Sequence, residues 1–266
     1  MEHKRPPMQR EITWADLGDR IYNISTPPVG FQQYLVIGNE KALMIDTGMG
    51  IGSIRKTVDS ITGLPIILVN THCHPDHAGG NAEFPPALIN PAELDVFEKM
   101  VTLEFRQQDV SRMPGGEEWV PLLQPTGPKP VFAEDGQVID LGGRQLKLIF
   151  TPGHTHGSLC VYEEATGTLF TGDNLQAGAT ALREWNSTTV EVFYQSLLKL
   201  RELSIKRILG GHRPNDNPPE LLENKIKCAE MILNGVPGER HERMGEVTYE
   251  VEYEGTAIMY RKEFIR

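Results

Sequence analysis

THCHPDHAGG, residues 71–80, sets three histidines and one aspartate within six consecutive positions. It follows the apolar run Ile66–Val69, whose length and composition are typical of a buried strand. In open α/β sheets the chemistry usually lies beyond the carboxyl ends of the strands, where this segment is expected. Either the segment is a polar loop that is rich in histidine, or a divalent metal ion binds there.

Other predicted strand ends also carry an aspartate or a histidine beside a glycine. They are Asp46-Thr47-Gly48, Gly153-His154, Gly172-Asp173 and Gly211-His212. Glycine lets the backbone turn sharply, so these ends can converge at one sheet edge. Convergence would assemble seven ligands: His72, His74, Asp76, His77, His154, Asp173 and His212. Seven are too many for one tetrahedral ion, so the pattern predicts two ions that share a bridge.

Strand-like and helix-like segments alternate along the chain. Strict alternation of apolar residues predicts a hairpin over 247–260 with one buried face. Capping sequences predict helices that begin at Asn90, Thr188 and Asn217. Residues 112–130 are rich in proline and glycine and are expected to form a loop.

Length and composition suit one large domain or two small ones, and we expect one domain over residues 1–266, with a substrate-covering lid in an insertion at 91–130. The net charge of −10, with no run of lysine or arginine, argues against nucleic acid as a partner. The apolar runs are too short to span a membrane, and no secretory signal is found at the N-terminus. The three cysteines make no disulfide framework, so we expect a cytoplasmic location.

The order of these motifs resembles that of the metallo-β-lactamase-fold superfamily. The resemblance rests on His-x-His-x-Asp-His, the later Gly-His, Gly-Asp and Gly-His pairs, and the segments 46–48 and 151–158, and it covers roughly residues 20–215. It implies an α/β fold, a four-layer αβ/βα sandwich of two mixed β-sheets flanked by helices. It places the site at one edge of that sandwich.

The resemblance also implies a role for each residue. The implied ligands of the first ion are His72, His74 and His154. Those of the second ion are Asp76, His77 and His212, with Asp173 as the bridging carboxylate. Asp46 would orient a ligating histidine from behind, and His156 is expected to support the site rather than to ligate. Zinc is the favoured metal, and iron and manganese are alternatives that the same ligand types allow.

The implied reaction is hydrolysis of a small ester, thioester or lactone by a hydroxide held on two metal ions, with Asp76 orienting it. The ligand set lacks the cysteine of true β-lactamases, so the resemblance favours a branch similar to glyoxalase II and the lactonases. The lactonase tyrosine is missing near Asp173, and no match to the helical domain of glyoxalase II follows His212. Two alternatives are a mononuclear iron enzyme similar to persulfide dioxygenases and a metal-dependent binding module without catalysis.

Four apolar residues, Phe105, Met113, Trp119 and Trp185, are candidates for the wall of a substrate pocket. Ordinary packing explains them equally well. Cys73 lies between two ligands, and an extended backbone would point it away from the metal, as a small buried residue. The expected partner is a small-molecule substrate, and a homodimer is left open.

Overall fold

The computed structural model describes residues 9–212, 216–243 and 245–266, and this part of the chain has an α/β fold with mixed sheets. It divides into two compact units. The first comprises residues 9–89, 94–132 and 140–144, and the second comprises 90–93, 133–139 and the described residues from 145 onward. The predicted fold class is confirmed, whereas the single domain over 1–266 stays a prediction.

The first unit contains a seven-stranded sheet with strands in chain order. Its strands are β1 (Thr13–Asp16), β2 (Ile21–Thr26), β3 (Phe31–Ile37), β4 (Ala42–Ile45), β5 (Ile66–Val69), β6 (Leu88–Ile89) and β7 (Val131–Phe132). Strands β1 to β4 pair antiparallel, and β4 to β7 pair parallel. Because Ile45 of β4 pairs with Val69 of β5, the segments that follow these two strands begin at the same edge.

The helices of the first unit are α1 (Ile54–Ile61), α2 (Pro75–Ala78), α3 (Leu94–Met100), α4 (Leu103–Ser111) and α5 (Gly116–Trp119). Helix α1 begins where Ser53 Oγ accepts a hydrogen bond from Lys56 N, and it buries Ile54 and Val58 in the core cluster of the sheet. Each such aliphatic side chain contributes about 1.5–3 kcal/mol on full burial. The apolar side of α1 therefore packs against the sheet.

The expected helix from Asn90 and the expected loop at 112–130 are both corrected by the structure. The chain forms a 3₁₀ turn at Pro91–Glu93 and then two helices, because Thr102 Oγ1 accepts from Phe105 N at 3.2 Å and starts α4 anew. Within 112–130 lie α5 and a second 3₁₀ turn, Val120–Leu122.

The second unit contains two sheets in its described residues, of which the sequence predicted only parts. The strands are β8 (Val138–Asp140), β9 (Gln145–Phe150), β10 (Leu159–Glu163), β11 (Thr168–Gly172), β12 (Gly178–Leu182), β13 (Arg207–Gly210), β14 (Asp216–Asn217), β15 (Glu239–Arg243), β16 (Glu246–Tyr253) and β17 (Thr256–Tyr260). One sheet has the order β14-β13-β11-β10-β9-β8, and the other has the order β12-β17-β16-β15. The predicted hairpin over 247–260 is confirmed as β16 and β17.

Two helices of this unit, α6 (Val190–Arg201) and α7 (Glu220–Leu233), share its apolar core. The predicted caps of both are wrong. Thr189, not Thr188, caps α6, since its Oγ1 accepts from Val192 N at 3.3 Å. Asn217 lies in β14, and α7 begins after Pro219 without a side-chain cap. No helix among the described residues is both long and apolar enough to span a membrane.

Candidate metal centre

The predicted ligand segment 71–80 lies directly beyond β5, and α2 forms within it. Gly79 and Gly80 are required there by close backbone packing. A Cβ at Gly79 would lie 2.3 Å from the carbonyl oxygen of Met49, and one at Gly80 would lie 2.5 Å from that of Thr47. The two glycines therefore let α2 pack against the turn that follows β4.

The structure brings the four predicted ligands of the first unit together. The ring centroid of His72 lies 4.7 Å from that of His74 and 4.0 Å from that of His77. His72 and His77 are buried, and His74 and Asp76 are half-buried. Asp76 Oδ2 lies 3.8 Å from His77 Nε2. Cys73 is buried, as expected for a small packing residue.

Asp46 is the residue that orients His77. It is buried in the left-handed region of the backbone, with φ of 62°, and its Oδ2 lies 2.8 Å from His77 Nδ1. An ionised carboxylate only accepts hydrogen bonds, so Nδ1 of His77 carries the proton and donates. Nε2 is then the nitrogen that can ligate a metal. The contact expected between Asp46 and a histidine is present.

Thr71 links Asp46 to a second histidine ring, a role that no sequence motif indicated. Its backbone N donates to Asp46 Oδ1 at 2.8 Å, and its Oγ1 donates to Asp46 Oδ2 at 2.7 Å. Thr71 Oγ1 also lies 3.2 Å from His72 Nδ1. Since the single hydroxyl proton goes to Asp46, the threonine oxygen accepts from Nδ1 of His72. His72 therefore has the same tautomer as His77.

In the second unit His154 has its ring held by a strand that the sequence did not predict. Its Nδ1 donates to the carbonyl oxygen of Ala181 in β12 at 2.8 Å. Its Nε2 lies 3.6 Å from Asp173 Oδ2. A backbone carbonyl only accepts, so His154 also presents Nε2 as its ligating nitrogen.

Asp173 and His212 follow two strands that pair parallel, β11 and β13, so both residues emerge at the same sheet edge. Nε2 of His212 lies 3.1 Å from Asp173 Oδ2. The same carboxylate oxygen therefore lies within 3.6 Å of two imidazole nitrogens, that of His154 and that of His212. This is the position expected for a carboxylate that binds metal together with both rings.

The loop that carries His154 is fixed by buried polar residues. Asn174 Oδ1 accepts from the backbone N of His154, and Ser187 Oγ donates to its carbonyl oxygen, each at 2.8 Å. Gly153 is needed because a Cβ there would lie 2.4 Å from the ring of Phe193. Asn174 and Ser187 were not predicted, since only their contacts across the fold reveal them.

The donor set fits a divalent metal ion by its chemistry. In each unit an unprotonated imidazole nitrogen lies near a carboxylate oxygen, at 3.8 Å for His77 and Asp76 and at 3.6 Å for His154 and Asp173. Two electron-rich acceptors at this separation favour a cation that both can ligate. These histidine and aspartate residues could hold a metal ion.

Helix α4 of the expected lid region lies near the ligand segment. Burial raises the pKa of Asp109 in this helix, the carboxylate of Asp76 raises it further, and Arg112 partly lowers it. The region is also anchored by the buried Arg106, whose guanidinium donates to the carbonyl oxygens of Val101, Met49, Gln124 and Pro125. Its role as a lid stays a prediction.

The four candidate pocket residues and His156 differ in burial. Trp119 is buried in an apolar cluster with Phe31, Met49, Ile51 and Val110, and Met113 packs against it, which supports ordinary packing for these two. Phe105 is half-buried, and Trp185 is 54% exposed. His156 is exposed, and its backbone N donates to Asn186 O at 2.8 Å. The pocket and supporting roles of these residues stay predictions.

Comparison with known proteins agrees with the motifs. Residues 28–212, which include all seven predicted ligands, match the metallo-beta-lactamase superfamily. The chain is 30% identical over 205 residues to acyl-coenzyme A thioesterase MBLAC2 of Homo sapiens, an alignment that covers 67% of this chain and 71% of that protein. It is 33% identical over 142 residues to hydroxyacylglutathione hydrolase of Gloeobacter violaceus, covering 53% of this chain and 46% of that protein.

Solved structures show the same fold. A metallo-beta-lactamase family protein of Thermus thermophilus, TTHA1429, matches with a TM-score of 0.63 at 20% identity, over 82% of each chain. The two sequence relatives are hydrolases by name, and the matched range exceeds half of the chain. This chain is a member of the metallo-beta-lactamase superfamily, a hydrolase family.

Proposed function

We propose that the protein is a metal-dependent hydrolase that cleaves a small acyl thioester. One observation carries the proposal. Three histidines, His72, His77 and His154, have Nδ1 engaged by an oxygen acceptor, so each presents Nε2 as a ligand. This second layer of hydrogen bonds is the arrangement that metal-binding histidines generally have.

The proposal assigns the residues to two ions. His72, His74 and His154 would hold the first ion, and Asp76, His77 and His212 would hold the second. Asp173 would contact both, which is supported by its Oδ2 standing near the rings of His154 and His212. Zinc is the proposed metal, and iron and manganese are alternatives that the same ligand types allow.

When bound, two divalent ions supply Lewis acidity and lower the pKa of water, which is the chemistry that cleavage of an acyl bond requires. The side chains of this protein have distinct tasks in the proposal. Asp76 would orient the attacking water through its carboxylate while it remains a ligand. Asp46 and Thr71 hold the rings of His77 and His72, so the ligands need no rearrangement during the reaction. No serine or cysteine nucleophile is needed.

A thioester is the substrate that we favour among the predicted ester, thioester and lactone. The support is that the human relative is named an acyl-coenzyme A thioesterase and aligns over two thirds of this chain. The cytoplasmic location and the homodimer stay predictions.

The proposal is tested by elemental analysis of the purified protein together with assays on thioester, ester, lactone and phosphodiester substrates. His74→Ala should abolish hydrolysis and lower the metal content, because it removes a proposed ligand. His241→Ala is the matched control, since His241 lies in β15 and not in the ligand set, and it should keep both. Wild-type metal stoichiometry and rate in His74→Ala would overturn the assignment.

The alternatives predict different results in the same experiment. One iron per chain with oxygen uptake would favour a dioxygenase similar to persulfide dioxygenases over a hydrolase. Full metal loading without turnover of any substrate would favour a binding module. Two ions per chain with thioester turnover is the result that we expect.

A further inference from the structure

The residues between the ligand motif and the core form a buried polar network that the proposed reaction does not use directly. Thr47 follows Asp46 beyond β4, Asn70 follows β5, and Asn81 follows the two glycines of the ligand segment. All three side chains are buried. Buried amides and hydroxyls destabilise a fold unless they are hydrogen-bonded, so three of them packed together indicate a specific task.

The three side chains, called the polar triad here, bond to one another. Thr47 Oγ1 donates to Asn81 Oδ1 at 2.7 Å, and Asn81 Nδ2 donates to Asn70 Oδ1 at 2.7 Å. Thr47 Oγ1 also accepts from the backbone N of Gly80 at 3.2 Å. The triad thus joins the ends of β4 and β5 to the exit of α2 by a continuous set of hydrogen bonds.

The triad holds the carbonyl oxygen of His77. Asn70 Nδ2 donates to this oxygen at 3.2 Å, and Oγ1 of Thr47 also lies 3.2 Å from it, beside the backbone N of Thr47, which donates to it at 2.7 Å. Asp46 holds the other end of the same residue, at Nδ1 of the ring. His77 is therefore fixed at two points by groups that follow adjacent strands, which leaves its side-chain torsions little freedom.

We propose that Thr47, Asn70 and Asn81 are positioning residues that set the metal affinity of the site to which His77 belongs. They do so through its backbone and touch no metal themselves. The inference rests on the proposed function, because it takes His77 as a metal ligand. Removal of the triad should let α2 shift, and a ligand that must be ordered on binding holds its metal less tightly.

The test measures Co²⁺ binding to the full chain after removal of metal, by competition with a chelator. His77→Ala first identifies the binding step that depends on His77. Thr47→Val keeps the volume but removes the hydroxyl, and it should weaken that same step about tenfold or more. Thr47→Ser restores the hydroxyl and should bring the affinity to within about threefold of wild type, because the bond to Asn81 can form again.

A control separates positioning from general loss of stability. Val58→Ala truncates a buried residue of α1 in the same unit and should lower the melting temperature without changing Co²⁺ affinity. Asn81→Leu removes the amide and provides a second test if Thr47→Val folds poorly.

The inference is overturned if Thr47→Val and Asn81→Leu bind Co²⁺ as wild type does, or if Val58→Ala weakens binding as much as they do. In either case the proposed function stands. Failure of the wild-type protein to bind Co²⁺ would instead overturn the proposed function, and this inference with it.

Discussion

Asp46 Oδ2 lies 2.8 Å from Nδ1 of His77, and both side chains are buried. The two residues are 31 positions apart, and they meet because β4 and β5 are parallel neighbours whose ends share one edge. The carboxylate fixes the ring direction and the position of its proton before any metal binds.

Asp46→Asn tests this relationship with little change of volume. An amide would donate to Nδ1 of His77 and so move the ring proton to Nε2, the proposed ligating atom. We expect metal affinity to fall about 10–100-fold. The measurement is chelator competition, with thermal unfolding of the metal-free protein alongside. Unchanged affinity in a variant that folds normally would contradict the assigned tautomer.

Thr71→Val tests the link between Asp46 and His72. The variant loses the hydroxyl that accepts from His72 Nδ1, so the ring should populate both tautomers. Thr71→Ser retains the hydroxyl and should keep the wild-type tautomer. Two-dimensional ¹H–¹⁵N spectra of the histidine side chains, recorded on metal-free protein at neutral pH, distinguish the two tautomers. The same tautomer in Thr71→Val as in wild type would show that the threonine has no such role.

Gly153→Ala should destabilise the loop that carries His154. The added Cβ would lie 2.4 Å from Phe193 Cδ2 and 2.8 Å from Asn174 Oδ1. Such overpacking typically costs about 1–3 kcal/mol of unfolding free energy. Gly63→Ala is the matched control, because a Cβ at Gly63 meets nothing within 4 Å. Chemical denaturation compares the two, and equal stabilities would contradict the packing argument.

Lys225 should make stability depend on pH. It is buried in α7, with Nζ donating to Gly178 O at 2.9 Å and Ala257 O at 2.8 Å. Burial lowers its pKa from 10.5 to about 7, against smaller opposing effects of Cys228 and Glu250.

The sign of this dependence follows from the direction of the shift. Above about pH 7 the folded protein loses the proton that the unfolded chain keeps up to about pH 10.5, so stability rises with pH across this window. Below about pH 7 Lys225 is protonated in both the folded and the unfolded state, so its contribution to the free energy of unfolding does not change with pH. Urea unfolding at pH 7 and pH 9 should show that the free energy of unfolding of the wild type rises by up to about 1.4 kcal/mol per pH unit. Lys225→Met should lack this rise. An equal pH slope in the variant would contradict the prediction.

Local sequence patterns predicted the strand before the ligand segment and the terminal hairpin, because apolar periodicity is a property of neighbouring residues. These patterns failed where a contact between residues distant in sequence decides whether a strand forms or where a helix begins. Strand β12 was missed because it pairs with β17, which lies far along the chain. The cap of α6 was misplaced by one residue because Thr188 Oγ1 donates to the carbonyl oxygen of Gly153, so Thr189 caps the helix.

The sequence by itself determined the family and the residue types of the proposed metal site, because histidine, aspartate and glycine recur after strand ends in a fixed order. Only the tertiary structure decided which nitrogen of His72, His77 and His154 can ligate. That choice depends on acceptors supplied by Asp46, Thr71 and Ala181, and a hydrogen bond of this kind forms only when the fold brings donor and acceptor together.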